Sequence, residues 1–505
     1  MLFNSYEFIF VFLPLSIALH FCMARQSISA AIVATTLSSL AFYAWWKPPF
    51  IVLPILSILT NFWIAKRILG SAESKARGIL IAGIVANLLV LFYYKYADFI
   101  LSIIEARNTS APDVPLALSF TTFVQIAFLV DVGRRRGQIA FANYALFVSF
   151  FPHLIAGPIV RWNELGPQIV EKLRYRLDWN NVALGLTIFC LGLGKKVLIA
   201  DRLALHVGPV FDAAARGEAI TAFAAWGGAF AYSAQLYFDF SGYSDMAVGL
   251  GLLFNLRLPI NFAAPLRATS IIDLWRRWHI TLSRFLREFV YLPLGGNKGS
   301  PVRRSLNLIA TMVLGGLWHG ANWTFIAWGA FHGALLAINH AWRSRRGPRP
   351  ETRISSLAGW FATFVAFAIG MVFFRAADIS AATMMLKAMV GFGEESVPDM
   401  IAVTWDRWGI EKGYLPESFA RIWIGAHWSF IGTFWTIGAL AIALLAPDTM
   451  ELADYREGET HSDWRRDIGF LAWHPSVAWC VTILATFVVL VLNLMQFTEF
   501  LYYQF

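Results

Sequence analysis

One histidine stands where chemistry is expensive to place. From Ser305 to Trp342 the chain carries no Asp, Glu, Lys or Arg, and Arg304 and Arg343 bound the stretch on either side. Both basic ends prefer the cytoplasmic side of a membrane, so the stretch reads as a hairpin of two spans. Its reversal falls in Gly315-Gly316-Leu317-Trp318-His319-Gly320-Ala321-Asn322. At 1.5 Å per helical residue, His319 lies on the order of 22 Å from the level of Arg304. An ionisable ring at that depth is a functional hypothesis, because a position that had only to pack would carry Leu. Apolar surroundings favour the uncharged imidazole, which can take a proton from a hydroxyl as that hydroxyl attacks an activated acyl group. The structural alternative is a histidine bonded within a helix contact, with the glycines serving close packing. His332 and His340, further along the returning span, read as packed or interfacial.

A second histidine lies in Ser270-Ile-Ile-Asp-Leu-Trp-Arg-Arg-Trp-His-Ile-Thr-Leu-Ser-Arg-Phe-Leu-Arg-Glu-Phe. At about 100° per residue, Ile271, Trp275, Trp278, Leu282, Phe285 and Phe289 share one face, and Asp273, Arg276, Arg277, Arg284, Arg287 and Glu288 the other. The spacing predicts an amphipathic helix, too charged to span, with His279 at the boundary of its two faces. It is either a site element or a basic anchor lying in the interface. In Gln235-Leu-Tyr-Phe-Asp-Phe-Ser-Gly-Tyr-Ser-Asp, the residues Asp239, Ser241, Tyr243, Ser244 and Asp245 interrupt what reads as an apolar helix pair at a glycine. Carboxylates there either orient a histidine, bind a partner arginine or line an aqueous cavity, or they cap a helix at the membrane surface. His153, between Pro152 and Pro158, reads as structural, in a broken helix.

The elements that hold these residues are set by composition. Of 505 residues, 58% are hydrophobic and 14% charged, with 21 Trp and 43 Phe. An ordinary soluble domain has roughly 25% charged residues, so the chain is expected to be an all-α polytopic membrane protein. Uncharged apolar runs fall at 8–24, 28–46, 50–65, 79–94, 115–130, 141–156, 179–194, 219–238, 305–321, 322–342, 355–374, 422–446 and 476–497. About eleven full crossings are expected, the rest being short or re-entrant. The first run has no small-residue cleavage site after it and reads as a retained span. The net charge of +9 points to basic cytoplasmic loops and not to nucleic acid. Clusters at Arg25, at Lys66, Arg67, Lys75 and Arg77, at Arg134 to Arg136 and at Arg343 to Arg353 place the N-terminus outside. By this scheme 375–421, with Glu394, Glu395, Asp399, Asp406, Glu411 and Glu417, faces out, and 267–304 and 447–475 face in. Segment 157–178, with Arg161, Lys172, Arg174 and Arg176, fits only if 141–156 is re-entrant. Cys22, Cys190 and Cys480 have neither disulfide nor metal-ligand spacing and read as small core residues; no metal site is expected.

Several blocks in this order resemble the membrane-bound O-acyltransferase family, in particular its alginate O-acetylation branch. They are Phe-Tyr-Ala-Trp-Trp at 42–46, Phe-Pro-His-Leu-Ile-Ala-Gly-Pro-Ile at 151–159, Gly-Lys-Lys-Val-Leu-Ile-Ala-Asp at 194–201 and Phe-Asp-Phe-Ser-Gly-Tyr-Ser-Asp at 238–245. Asn-Phe-Ala-Ala-Pro at 261–265, Trp-Arg-Arg-Trp-His-Ile-Thr-Leu-Ser at 275–283, Tyr-Leu-Pro-Leu-Gly-Gly-Asn at 291–297, Gly-Leu-Trp-His-Gly at 316–320 and the terminal Leu-Tyr-Tyr-Gln-Phe follow. The resemblance implies one membrane domain over 1–505, with N-terminal helices to 140, catalytic core helices over 141–342 and C-terminal helices from 343. It implies His319 as the essential histidine and His279 as its partner, where an exterior funnel meets a cytoplasmic tunnel. Trp318, Asn322, Trp278, Asp239, Ser241, Tyr243 and Asp245 are the expected supporting residues.

By the same resemblance the reaction is O-acetyl transfer from a cytoplasmic thioester, acetyl-CoA, with no bound cofactor, towards an exported polysaccharide such as alginate. A periplasmic or membrane-anchored SGNH-type protein is the expected partner, in the lipids of a bacterial inner membrane. Arg276 and Arg277 are candidates to meet the donor's phosphates. The alternatives are D-alanyl transfer of the teichoic-acid type from a carrier protein, a lipid or glycan transporter without bond chemistry, and a scaffold in which both histidines are replaceable.

Overall fold

The computed structural model describes residues 1–103, 114–134, 137–347, 352–392, 427–428, 430–455, 468–494 and 501. Among the described residues every regular element is helical. The chain begins with α1 (Leu13–Ala24), α2 (Ile28–Ala44), α3 (Val52–Leu69), α4 (Glu73–Lys95), α5 (Ala97–Ile103) and α6 (Leu118–Arg134). Short pieces α7 (Phe141–Ser149), α8 (Phe151–Leu154) and α9 (Trp162–Val170) lead to α10 (Trp179–Gly194), α11 (Asp201–Ala215) and α12 (Ala222–Leu253). Then come α13 (Ile271–Arg277), α14 (Ile280–Leu286), α15 (Pro301–His319) and α16 (Trp323–Arg346). The last are α17 (Arg353–Arg375), α18 (Ile379–Met389), α19 (Phe430–Leu445), α20 (Thr449–Leu452) and α21 (Val477–Asn493).

Five helical stretches are long and apolar enough to cross a bilayer: Glu7–Ala24, Pro48–Leu69, Glu73–Lys95, Trp179–Ala215 and Arg353–Arg375. Shorter apolar helices accompany them. Their outer faces are greasy, with Leu15, Trp63, Leu89, Phe361 and Leu484 all exposed, as a lipid-facing surface requires. Cys22 and Cys480 lie on that outer surface; Cys190 alone is buried.

At the centre stands α12, 32 residues long and buried from Ala231 to Leu253 without a break. The expected helix pair interrupted at Gly242 is therefore a single helix. Gly242 is used for approach and not for a turn: it faces Gly192 of α10, where an added Cβ would sit 2.6 Å from the Gly242 carbonyl oxygen. Small residues that let two backbones meet are the usual membrane solution, since lipid offers no hydrophobic drive between helices. The hairpin of α15 and α16 uses the same device at Gly333, where a Cβ would be 2.7 Å from Ile309 Cα. This hairpin occupies the charge-free stretch as the spacing predicts.

Segment 141–161 does not cross. The helix stops at Phe150 (ψ 108°), resumes for one turn as α8, and continues without helix to Arg161, buried throughout. The chain then returns to the end of α1 that carries Arg25: the Tyr175 ring stacks on His20 at 5.5 Å, and Phe254 meets the same His20 edge-on at 5.2 Å. The re-entrant reading of 141–156 thus agrees with the geometry. Contacts continue round this end of the bundle. Tyr455 Oη donates to Leu258 O at 2.8 Å, Arg267 pairs with Glu451 at 3.0 Å, and Arg343 donates to Ser270 Oγ at 2.9 Å. One end therefore gathers Arg25, Lys172, Arg174, Arg176, Arg257, Arg267 and Arg343. Residues 394–417, with the acidic residues predicted to face out, and Arg135, Arg136 and Arg349 lie outside the described residues.

Candidate active site

His319 is the last residue of α15 and is 4% exposed. Gly320 leaves the helix in extended backbone, and Asn322 starts α16 by accepting from Thr324 N–H at 3.1 Å. The Asn322 amide also donates to Ala377 O at 2.9 Å, so this side chain fixes the reversal that presents His319. An aromatic wall surrounds the imidazole: Trp318 at 4.9 Å between ring centroids, Phe374 at 5.0 Å and Trp328 at 5.2 Å, all edge-on. Trp318 itself stacks on Phe123 at 5.1 Å.

His279 arrives by a different route from the one its spacing predicts. The helix over 270–289 is broken: α13 ends at Arg277, His279 has left-handed backbone (φ 43°, ψ 56°), and α14 begins at Ile280. A left-handed conformation costs a non-glycine residue on the order of 1–2 kcal/mol. The cost is met by the extended strand of chain around Asn261. Ala263 N–H donates to Arg277 O at 3.0 Å and Ile280 N–H to Asn261 O at 2.9 Å, which pulls the backbone out of the helix there.

The same asparagine holds the ring. His279 Nδ1 lies 3.0 Å from Asn261 Oδ1, which also receives Thr281 Oγ1 at 2.9 Å. Thr281 Oγ1 in turn accepts Ile159 N–H at 3.0 Å, and Asn261 Nδ2 reaches Ser244 Oγ at 3.2 Å. With Oδ1 as acceptor, Nδ1 carries the proton and Nε2 is the basic nitrogen of the neutral ring. Phe240 meets the ring edge-on at 4.7 Å and Phe262 lies over it at 6.4 Å. His279 and His319 come together with ring centroids 6.5 Å apart, and Trp318 is 6.1 Å from His279. Two buried imidazoles at that separation can address one small reacting group.

Trp278 packs beside the pair, against Phe262 at 5.1 Å and Phe367 at 5.0 Å. The carboxylates of α12 do not join it. Asp245 pairs with Lys195 at 2.6 Å, and Asp239 pairs with Lys196 at 2.5 Å while accepting Leu501 N–H at 3.1 Å. Tyr243 stacks on Phe3 at 4.7 Å, and Ser241 is buried in the same helix. What α12 brings to His279 is Phe240 and, through Asn261, Ser244. Asn261 had a visible signal, a polar residue in the Asn-Phe-Ala-Ala-Pro block. Its pairing with His279, 18 residues on, had none.

Arg277 pairs with Asp273 at 3.0 Å. Arg276 is exposed and, with Arg304 and Arg343, acts electrostatically on His340 near the end of α16. These three arginines are a cationic cluster at the basic end of the bundle. The re-entrant segment is tied to α6 and to Glu288 by Arg161, which bridges Asp131 and Glu288.

Comparisons with known proteins bear on this arrangement. The profile of the MBOAT, membrane-bound O-acyltransferase family, matches residues 84–377. The chain is 40% identical over 431 residues to a peptidoglycan O-acetyltransferase of Helicobacter pylori, covering 79% of this chain and 81% of that protein. It is 41% identical over 413 residues to a protein of Azotobacter vinelandii named "Probable alginate O-acetylase AlgI", covering 79% and 80% respectively. A teichoic acid D-alanyltransferase of Streptococcus thermophilus is 29% identical over 272 residues, covering 49% of this chain and 65% of that protein.

Proposed function

Because this chain belongs to the membrane-bound O-acyltransferase family, we propose that it moves an acetyl group from a cytoplasmic thioester to a hydroxyl, for O-acetylation of an exported polysaccharide. The observation that carries the reading is the buried pair His319 and His279, their ring centroids 6.5 Å apart with aromatic rings packed against each. The names of the similar proteins from Helicobacter and Azotobacter support acetyl as the group and a cell-surface glycan as its destination.

In this reading acetyl-CoA is the donor, with Arg276, Arg304 and Arg343 drawing its phosphates to the basic end. His319 takes the proton from the acceptor hydroxyl as its oxygen bonds to the thioester carbonyl carbon. The carbon–sulfur bond breaks and the proton passes from His319 to the leaving thiolate, giving the ester and free thiol. His279, held in one tautomer by Asn261, orients and polarises the reacting group. A transient acyl-histidine is the alternative route. The basic end is assigned to the cytoplasm, which places the N-terminus outside in a bacterial inner membrane. An SGNH-type protein on the outer side, reached through the exterior end of the hairpin, completes transfer to the polymer.

Mass analysis of the host's exported glycan with and without this chain tests the reaction. Loss of acetyl groups is expected on deletion. Loss of alanyl groups would replace acetyl-CoA by a D-alanyl donor, the activity named for the Streptococcus protein. Unchanged glycan would reject acyl transfer to it.

A second expectation concerns Asn261. Asn261→Leu removes the acceptor that His279 and Thr281 share, and it is expected to lower transfer roughly tenfold to a hundredfold, as losing the orienting partner of a metal-bound histidine does. Asn261→Asp keeps an acceptor oxygen and is expected to retain more. Ester content of the exported glycan, divided by the amount of protein in the membrane, measures both.

A further inference from the structure

We infer that Lys95 is a positioning residue for His319, acting through the carbonyl end of α15; the inference rests on the proposed role of His319 in acyl transfer. The last carbonyls of a helix have no intrahelical partners and carry the negative end of its dipole. At α15 these groups are met from another part of the bundle. Lys95 Nζ donates to Trp318 O at 2.6 Å and to His319 O at 3.0 Å, and also to Ser119 Oγ at 3.2 Å. The next residue, Tyr96, donates from its hydroxyl to Leu317 O at 2.7 Å. Three consecutive carbonyls ending at the histidine are thus fixed by two consecutive side chains at the end of α4. Trp318 is tied to the same place, its Nε1 donating to Ser119 O at 3.4 Å and its ring lying 6.0 Å from the Lys95 ammonium.

Asn322 reverses the chain after His319 and Gly320 N–H bonds Gly316 O, but neither reaches the carbonyls of Leu317, Trp318 and His319. Lys95 caps the last two of these carbonyls and so pins the peptide unit that carries the imidazole. A shift of about 1 Å in a reacting group costs up to about a hundredfold in rate. The burden on Lys95 is therefore kinetic: it should move the maximal rate and leave donor binding alone.

The test uses inverted membrane vesicles that carry the full chain, with acetyl-CoA added outside. Lys95→Met is expected to lower the maximal rate per inserted protein about tenfold to a hundredfold, with the acetyl-CoA KM within about twofold of the parent's. Lys95→Arg restores donors to the carbonyls and is expected to recover most of the rate. In a His319→Ala background, Lys95→Met should change the residual rate by less than about twofold, because the residue it positions is gone. A Lys95→Met rate equal to the parent's, no recovery with Arg, or an undiminished effect without His319 would each overturn the role. Should Lys95→Met fail to accumulate, Tyr96→Phe removes only the bond to Leu317 O and is expected to lower the rate several-fold; no change would count against the positioning. Ester content of the exported glycan gives the same ratios whichever thioester is the donor, so failure of the acetyl-CoA assignment and failure of the Lys95 role are distinguishable.

Discussion

Replacing His319 by Ala is expected to reduce O-acylation of the exported glycan by about 100- to 10,000-fold, the range associated with loss of a positioned general base. Membrane insertion and protein amount should stay near the parent's, because the ring packs at the end of a helix whose hairpin is held by Asn322 and Gly333. His332→Ala is the control that gives the result meaning. His332 is fully buried on α16, with its ring 5.4 Å from Trp275 and 5.1 Å from Trp328. Truncating it removes a buried ring of the same kind, close by, outside the pair. Transfer per inserted protein is expected to fall only several-fold there. A His319→Ala chain that inserts and supports full acylation would favour transport of an already acylated glycan, in which no bond is made at this site. Equal losses at His319 and His332 would mean that packing, and not chemistry, accounts for both.

The hairpin that carries His319 was legible because its signal is local and redundant: no charges from Ser305 to Trp342, arginines at both ends, and a polar, glycine-rich middle. The break at His279 was not. Ile271, Trp275, Trp278, Leu282 and Phe285 keep helical spacing straight through it, and each side of the break is indeed helical. The cause is tertiary: the backbone and amide of Asn261 take the N–H groups of Ile280 and Thr281, which a continuous helix would have bonded to itself. Gly242 misled in the opposite direction. A glycine between polar residues in an apolar run reads as punctuation, yet in lipid it is as often a place of contact, and here it meets Gly192. The re-entrant turn at Phe150 was foreshadowed only by a charge conflict, the basic loop 157–178 on the wrong side of a full crossing. Local propensity said little about it, because once buried in protein a non-helical backbone is tolerated at membrane depth.

The largest expected structural effect belongs to Lys196, and it decides what Asp239 is for. The Lys196 ammonium lies 2.5 Å from Asp239 and 2.9 Å from Asp201, with the three side chains 5%, 1% and 9% exposed. Lys196→Met leaves two carboxylates without their cation in a low-dielectric interior. Breaking a buried pair in this way costs about 3–5 kcal/mol, because the remaining charge is neither solvated nor paired. The variant is expected to accumulate poorly and to lose thermal stability in detergent. Adding Asp239→Asn removes one of the stranded charges, so the double variant should be more stable than Lys196→Met alone. A coupling energy indistinguishable from zero would show that the contact carries no stability. Asp239→Asn on its own leaves Lys196 paired with Asp201, so its cost should be the smaller one. Transfer is the deciding readout. Asp239 precedes Phe240, whose ring packs on His279 at 4.7 Å, and its own carboxylate is turned to Lys196. If the carboxylate serves only to hold α12 in register, Asp239→Asn transfers at the parent's rate per inserted protein. A rate reduced like that of His319→Ala, in protein of parental stability, would instead make Asp239 a chemical member of the site.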